Sequence, residues 1–243
     1  MNRASTGISF LVVFCSQFLL ADLALATPTS KQKVPVPQST SRTMELRDAL
    51  RASDFSLEDS ASSKVFKNNI EELKRLIEAE SEPYELRWRS VLALAVAQTS
   101  EAVKYLKGLI ASKEWFLRDS ALKALTVVDK RAAIIVARKL VSDPSLIVRT
   151  SAVISLKKLG DKESVPLLWE KLEAKENFNK NESLFVRRHI VEALVVLDDK
   201  SPKAKFEHLL KDKDSRLHSA VKRKLSQLRS GDSIRADEPS TAL

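Results

Sequence analysis

The strongest constraint on the fold is a ten-residue pattern that occurs five times. The five windows begin at residues 85, 116, 147, 185 and 216, so their starts are 31, 31, 38 and 31 residues apart. The second, sixth and tenth positions of each window, and the position three residues after the tenth, carry small or apolar residues. Positions separated by four, four and three residues lie on one side of a helix. Each window therefore predicts a helix with one buried stripe.

A second apolar stripe follows each of the first four windows. In the first repeat it consists of Val103, Leu106 and Ile110, and it recurs at the same offsets, with one polar exchange at Lys203 in the fourth repeat. Each repeat is therefore a helix pair. The chain has only 4 glycines in 243 residues, and this low number argues against a turn-rich β-sandwich. The predicted fold class is all-α: an α-solenoid of stacked antiparallel helix pairs with a period of about 31 residues.

The third repeat has the most distinctive sequence. Arg149 lies in its first helix, Leu-Gly-Asp at residues 159–161 ends that helix, and Val-Pro-Leu-Leu at residues 165–168 lies in the second. This pattern resembles the bacterial HEAT-like repeat, and the resemblance covers about residues 82–229. It implies a scaffold or protein interaction module. Because some relatives attach bilin chromophores to light-harvesting proteins, it also implies a lyase-type enzyme as an alternative.

The first 26 residues have the pattern of a secretory signal peptide. Arg3 precedes an apolar stretch at residues 8–20, and Ala24 and Ala26 form a small-residue cleavage signal before Thr27. We therefore expect an exported protein, periplasmic or secreted, with no transmembrane span after cleavage. The single cysteine lies within the signal, so the mature chain has no thiol for disulfides or thiolate chemistry.

Three further regions follow the signal peptide. Residues 27–43 are rich in Pro, Ser and Thr, which predicts a disordered linker. Residues 44–229 are predicted to form the solenoid, and residues 230–243 a disordered polar tail. The formal net charge of +9 suggests an acidic partner. We expect a monomer that does not bind nucleic acid, since export and the lack of interleaved aromatic residues argue against it.

A column of basic residues occupies the third position of every window. It could form a ladder that binds anions. The interpretation we prefer is structural, because the stems flank the apolar stripe and the guanidinium groups can bind helix-end carbonyls or an Asp of the adjacent repeat. The column consists of Arg87, Arg118, Arg149, Arg187 and His218.

Candidate partner-binding residues lie mainly on the second helices, which we expect to line the inner face. Their polar positions form a basic stripe with one aromatic residue, suited to an acidic protein or to an anionic envelope lipid or glycan; the alternative is a solvated charged face. Two more candidates lie elsewhere: one in a window column that looks exposed, and one in an insertion at residues 174–181 that we expect to protrude as a loop. The candidates are Lys104, Lys107, Arg138, Lys139, Trp169, Lys211, Trp88 and Phe178.

No catalytic motif is found in the sequence. Glycines are too few for a phosphate-binding loop, and His189, His208 and His218 lack the spacing of metal ligands on one helix face. We therefore expect no catalytic residue, no metal and no cofactor. The predicted function is an exported, non-enzymatic repeat scaffold for protein interaction, with an envelope-surface binder and a lyase-type enzyme as alternatives.

Overall fold

The computed structural model describes residues 38–52 and 63–236, with side chains for residues 43–52 and 63–228. These residues belong to one compact unit that begins at Pro37. Within them the chain forms twelve α-helices and one short hairpin. The helices are α1 Gln38–Arg51, α2 Ser63–Lys67, α3 Ile70–Glu78, α4 Tyr84–Ala97, α5 Ser100–Leu109, α6 Trp115–Val128, α7 Lys130–Leu140, α8 Leu146–Leu159, α9 Val165–Leu172, α10 Phe185–Leu197, α11 Lys203–His208 and α12 His218–Ala236.

The predicted all-α solenoid is confirmed. Each window forms a long first helix (α4, α6, α8, α10 and α12), and successive first helices pack against one another. The shorter second helices α5 and α7 each pack against two consecutive first helices, whereas α9 and α11 pack mainly against the first helix that follows. The tenth window position is buried throughout the stack, at Leu94, Leu125, Leu156, Leu194 and Leu225.

The turns between paired helices require unusual backbone conformations or side-chain caps. Gln98 after α4 and Gly160 after α8 are both left-handed, with φ of 51° and 71°. The N–H of such a residue donates a hydrogen bond to a carbonyl of the last helical turn, and the helix ends there. Thr99 and Asp129 cap α5 and α7 by accepting bonds from Ala102 N and Ala132 N. These devices reverse the chain within a few residues, which produces antiparallel pairs.

The N-terminal helices cover the first repeat. Helices α1 and α2 pack against α4, and Leu46, Leu50 and Phe66 are completely buried there. Arg89 of α4 donates to Leu50 O at 2.8 Å, and Ser63 Oγ donates to Val96 O at 3.2 Å. One side of α4 is therefore closed by the chain itself.

The predicted boundaries of the linker and the tail stay predictions. Residues 1–37 lie outside the described part, and so do residues 237–243. The signal peptide falls entirely outside it. Helix α1 begins within the predicted linker and α12 continues past residue 229.

The insertion between α9 and α10 is a short, mostly exposed hairpin with one buried anchor residue. It contains a 3-10 turn at Lys175–Asn177 and a hairpin in which β1, Phe178–Asn179, pairs antiparallel with β2, Glu182–Ser183. Asn177 is completely buried, and its side chain donates to Lys171 O at 2.8 Å. The polar sequence does not reveal this anchor, because a polar side chain can be buried when its hydrogen bonds are satisfied.

Candidate functional site

The arginine column lies between repeats. Arg118 donates from Nε and Nη2 to the two carboxylate oxygens of Asp143, each at 2.7 Å. Its Nη1 donates to Ser112 O and Lys113 O at 2.9 and 3.0 Å. Arg118 therefore joins the turn that precedes its own helix to the turn that precedes the next first helix. The bond with Asp143 raises the pKa of Arg118 above its ordinary value.

Arg87 and Arg149 occupy the same place with different partners. Arg87 donates to Ile77 O at 2.9 Å and to both oxygens of Glu114. Within the described part of the chain Arg149 bonds to no carboxylate: it donates to Asn177 Oδ1 at 2.9 Å and to backbone carbonyls that include Glu176 O at 2.6 Å. Burial among neutral acceptors lowers the pKa of Arg149.

Arg187 and His218 complete the column. Arg187 donates to Leu172 O at 2.8 Å and to Asp212 Oδ2 at 2.7 Å, and its guanidinium lies 4.3 Å from the ring centre of Phe178. A ring nitrogen of His218 lies 3.0 Å from Asp212 O. All four arginines are buried, so the column contacts neighbouring turns within the stack.

Three of the candidate binding residues form a second row of contacts between repeats. Lys107, Arg138 and Trp169 are 31 residues apart. Each contacts an aspartate in the turn after the next first helix: Lys107 Nζ lies 2.8 Å from Asp129, Arg138 Nε donates to Asp161 at 2.7 Å, and Trp169 Nε1 donates to Asp198 at 2.6 Å. Their polar groups make contacts between neighbouring repeats, which corrects the expectation that they form a free basic stripe.

Trp169 is half-buried instead of exposed. Its ring packs edge-on against Phe206, with ring centres 5.3 Å apart, and Lys205 Nζ lies 4.2 Å from the centre of the Trp169 ring. Burial acts to raise the pKa of Asp198, but the bonds from Trp169 and Ser201 outweigh it and lower that pKa. Trp169 therefore packs against the core with a satisfied indole N–H.

Trp88 and Phe178 are also partly buried. Trp88 packs against the apolar core of the N-terminal half, which corrects its expected exposure, and the guanidinium of Arg89 lies 5.8 Å from its ring centre. Phe178 folds back beneath Arg187. Each aromatic ring is held by a neighbouring arginine.

The remaining candidates are exposed lysines that lie far apart along the chain. Lys104 lines a 720 Å³ groove between α3 and α5, whose floor includes Ile77 and Leu117. Lys211 lines a 610 Å³ cleft beside the hairpin. Lys139 is exposed on α7. Both cavities mix basic and acidic side chains, so neither has a uniform charge.

The first helices expose an apolar face that the sequence analysis did not identify. We define the open face as the first, fifth, eighth and twelfth positions of α6, α8 and α10, counted from the first residue of each window. Five of its apolar members are 39–61% exposed and Phe116 is half-buried, whereas Leu92 and Val96, at the eighth and twelfth positions of α4, are 8% and 4% exposed because α1 and α2 cover them. The exposed apolar members are Val127, Ile147, Ile154, Phe185 and Val196.

A slot of 320 Å³ lies on the open face between α6 and α8. Val127 and Ile154 form its apolar surface, and Thr126 and Ser151 contribute hydroxyl-bearing side chains. Two basic residues, Lys123 and Lys158, complete its rim, and none of the side chains that line it is a carboxylate. The slot therefore combines an apolar floor with a positive rim.

The described residues contain no group of three or more His, Cys, Asp or Glu side chains that could hold a metal ion. Among the described helices, none combines the length and the apolar composition that a membrane span requires.

The comparisons with known proteins find similar structures. No family profile matches the chain, and no curated protein sequence matches it. An engineered protein matches with 17% identity over 82% of this chain and 94% of that chain, at a TM-score of 0.43. The complex of CpcE and CpcF of phycocyanin lyase from Nostoc sp. PCC7120 matches with 18% identity over 83% of this chain and 79% of that chain, at a TM-score of 0.39.

One expectation from the sequence is corrected by this result. We expected a chain that is not an enzyme, and that expectation conflicts with the match to a lyase complex. It is withdrawn.

Proposed function

We propose that this chain is a HEAT-like repeat scaffold that binds a protein partner through the open face of α6, α8 and α10. A single observation carries the proposal: the same stripe of α4 is covered by α1 and α2, while on the next three first helices it exposes apolar side chains. Contiguous exposed apolar residues on a folded domain are typical of interaction sites. Stacked repeats provide such a site as a continuous surface.

Binding of an anionic lipid or glycan by the second helices has less support. Lys107 is paired with Asp129, and Arg138 with Asp161 and Glu163. Their charges are therefore largely compensated within the stack, and the exposed Lys104 and Lys211 line two different cavities. A protein partner on the open face is the better supported function.

We also propose that the scaffold works after export. The support is the sequence of the first 26 residues, with Arg3, the apolar stretch at residues 8–20 and the small residues Ala24 and Ala26. In that setting a chain with no cysteine after the signal depends on its core and on the contacts between its repeats for stability.

Quantitative capture of partners from an extract of the source cells tests the proposal. The bait is the full-length protein, compared with the double variant Val127→Gln and Ile154→Gln. The matched control is Ile135→Gln on α7, since Ile135 is an apolar residue that is 64% exposed away from the open face. Helical circular dichroism and thermal melting establish that both variants remain folded.

The expected result is a protein that wild type and control capture in equal amounts and the double variant does not. Loss of capture by the control alone, or a captured set that is identical for all three baits, would overturn the open face as the binding surface.

A further inference from the structure

The slot between α6 and α8 has the properties of a docking site for a helix. We infer that it receives an amphipathic helix of the partner protein, with acidic residues beside the apolar stripe of that helix. This inference rests on the proposed function and adds the secondary structure and the charge of the bound element.

The chain itself shows which kind of element covers this face. On α4 the equivalent stripe is covered by two helices, α1 and α2, and Phe66 of α2 is completely buried against the core. The same spacing of side chains continues on α6 and α8, where Val127 and Ile154 are 40% and 39% exposed. A helix fits such grooves because its own side chains follow the same periodicity. The slot is therefore shaped for a helix.

The charge of the slot selects the flanks of that helix. Lys158 forms no ion pair within the described part of the chain, and no carboxylate lines the slot. Lys123 contacts Asp119 Oδ2 at 2.7 Å, so its charge is partly compensated, and 53% of its side chain is exposed. Lys158, together with the partly compensated Lys123, places positive charge beside an apolar floor, which favours acidic residues at the edge of the bound helix and disfavours basic ones.

A second copy of this chain is a poorer occupant. Its own slot presents the same two lysines, so two open faces placed against each other would bring like charges together over Lys123 and Lys158. The acidic helix of a different protein avoids this repulsion.

Selection from a peptide library tests the inference. The library displays 16-residue helices with a constant apolar stripe and randomised flanking positions. Selection on the full-length wild-type protein is followed by removal of every clone that also binds the Val127→Gln, Ile154→Gln variant. The flanks of the remaining clones are expected to be net negative.

The binding of one representative enriched peptide is then used to measure the contribution of Lys123 and Lys158. Its dissociation constant should rise by about tenfold or more for the double variant Lys123→Gln and Lys158→Gln, and the difference should shrink at high salt because ions screen the exposed charges. The control is Lys139→Gln on α7, since Lys139 is also an exposed lysine. This control should leave the dissociation constant unchanged.

The outcomes separate the two levels of the proposal. The acidic character of the bound helix is overturned if the enriched flanks are neutral or basic, or if the lysine substitutions do not change the dissociation constant. In either case the capture experiment still tests the open face. No slot-dependent clones at all overturns the helix as well. Self-association that is abolished by Val127→Gln and Ile154→Gln would replace the acidic helix with a second copy, and lysine-dependent sedimentation with anionic vesicles would replace it with a membrane surface.

Discussion

Arg118 and Asp143 form a bidentate ion pair across 25 residues of sequence, with two N–O distances of 2.7 Å and both side chains at least nine-tenths buried. Asp143 also accepts a bond from Ser145 N at 2.8 Å in the turn that begins α8. The pair therefore fixes the turn of one repeat against the first helix of the preceding one. Its bidentate geometry also fixes the orientation of both groups.

Removal of Asp143 should strongly destabilise the fold. Asp143→Ala leaves the buried guanidinium of Arg118 without its counter-charge, which typically costs about 3 to 5 kcal/mol. Urea unfolding followed by circular dichroism measures the loss. The matched control is Lys162→Ala, which breaks an ion pair with Asp199 in which both side chains are more than half exposed; it should leave the midpoint unchanged. Equal effects of the two substitutions would contradict the importance of the buried pair.

Asn177 takes the place of that carboxylate in the next repeat, where it accepts a bond from Arg149 Nε at 2.9 Å. Asn177→Ala should destabilise the protein by about 1 to 3 kcal/mol, because buried donors lose their acceptor. The comparison is Asn179→Ala in the exposed hairpin, with an expected change within about 0.5 kcal/mol. Chemical unfolding of the two variants would refute this role for Asn177 if both were as stable as wild type.

The sequence predicted the stack of helix pairs because a buried stripe repeats at fixed positions in every window. The burial of Leu156 and its equivalents can be predicted without knowledge of distant contacts, since any helix with that spacing has one apolar side. The contacts of Lys107, Arg138 and Trp169 could not be predicted in this way. Their partners lie in turns of the following repeat, and a basic residue on a second helix has the same sequence pattern whether it is solvated or paired.

The open face was missed for a related reason. Val127 and Ile154 occupy positions that are buried at Leu92 and Val96 of α4, so the sequence pattern alone makes them equivalent. Only the structure shows that, among the described helices, α1 and α2 pack over α4 while α6, α8 and α10 keep this stripe exposed.

Leu156 provides a test of the core in the repeat with the clearest motif. It is completely buried on α8, so Leu156→Ala should cost about 2 to 5 kcal/mol through lost burial and a residual cavity. Ile154→Ala on the same helix is the control, because its side chain is exposed on the open face, and it should change stability much less. Denaturant titrations that give equal losses for the two variants would mean that α8 is rotated from the described orientation.

Export predicts a defined N-terminus for the mature protein. Cleavage after Ala26 would give a chain that begins at Thr27 and has no cysteine, since the single cysteine is Cys15. Intact-mass measurement of the protein isolated from its source cells, together with a thiol-alkylation assay, checks both properties. A mass that includes residues 1–26, or an alkylated Cys15, would rule out this cleavage. Blocking the signal with Ala24→Phe and Ala26→Phe should leave the precursor uncleaved.

The last prediction concerns the dependence of stability on pH near the start of α12. Asp214 accepts a bond from Arg216 Nε at 2.7 Å, and this contact lowers the pKa of Asp214 to about 2. A carboxyl whose pKa is lower in the folded state than in the unfolded chain stabilises the fold above the unfolded value, near 3.9, and loses that contribution as the pH falls toward 2. Asp214→Asn should therefore be less stable than wild type at pH 6, and the difference should shrink between about pH 4 and pH 2.

Arg216→Gln should also reduce this pH-dependent contribution by removing the partner. The measurement is the free energy of unfolding in urea at pH 6, 4, 3 and 2; a difference between wild type and Asp214→Asn that stays constant over this range would show that the Asp214 carboxylate does not contribute through its charge.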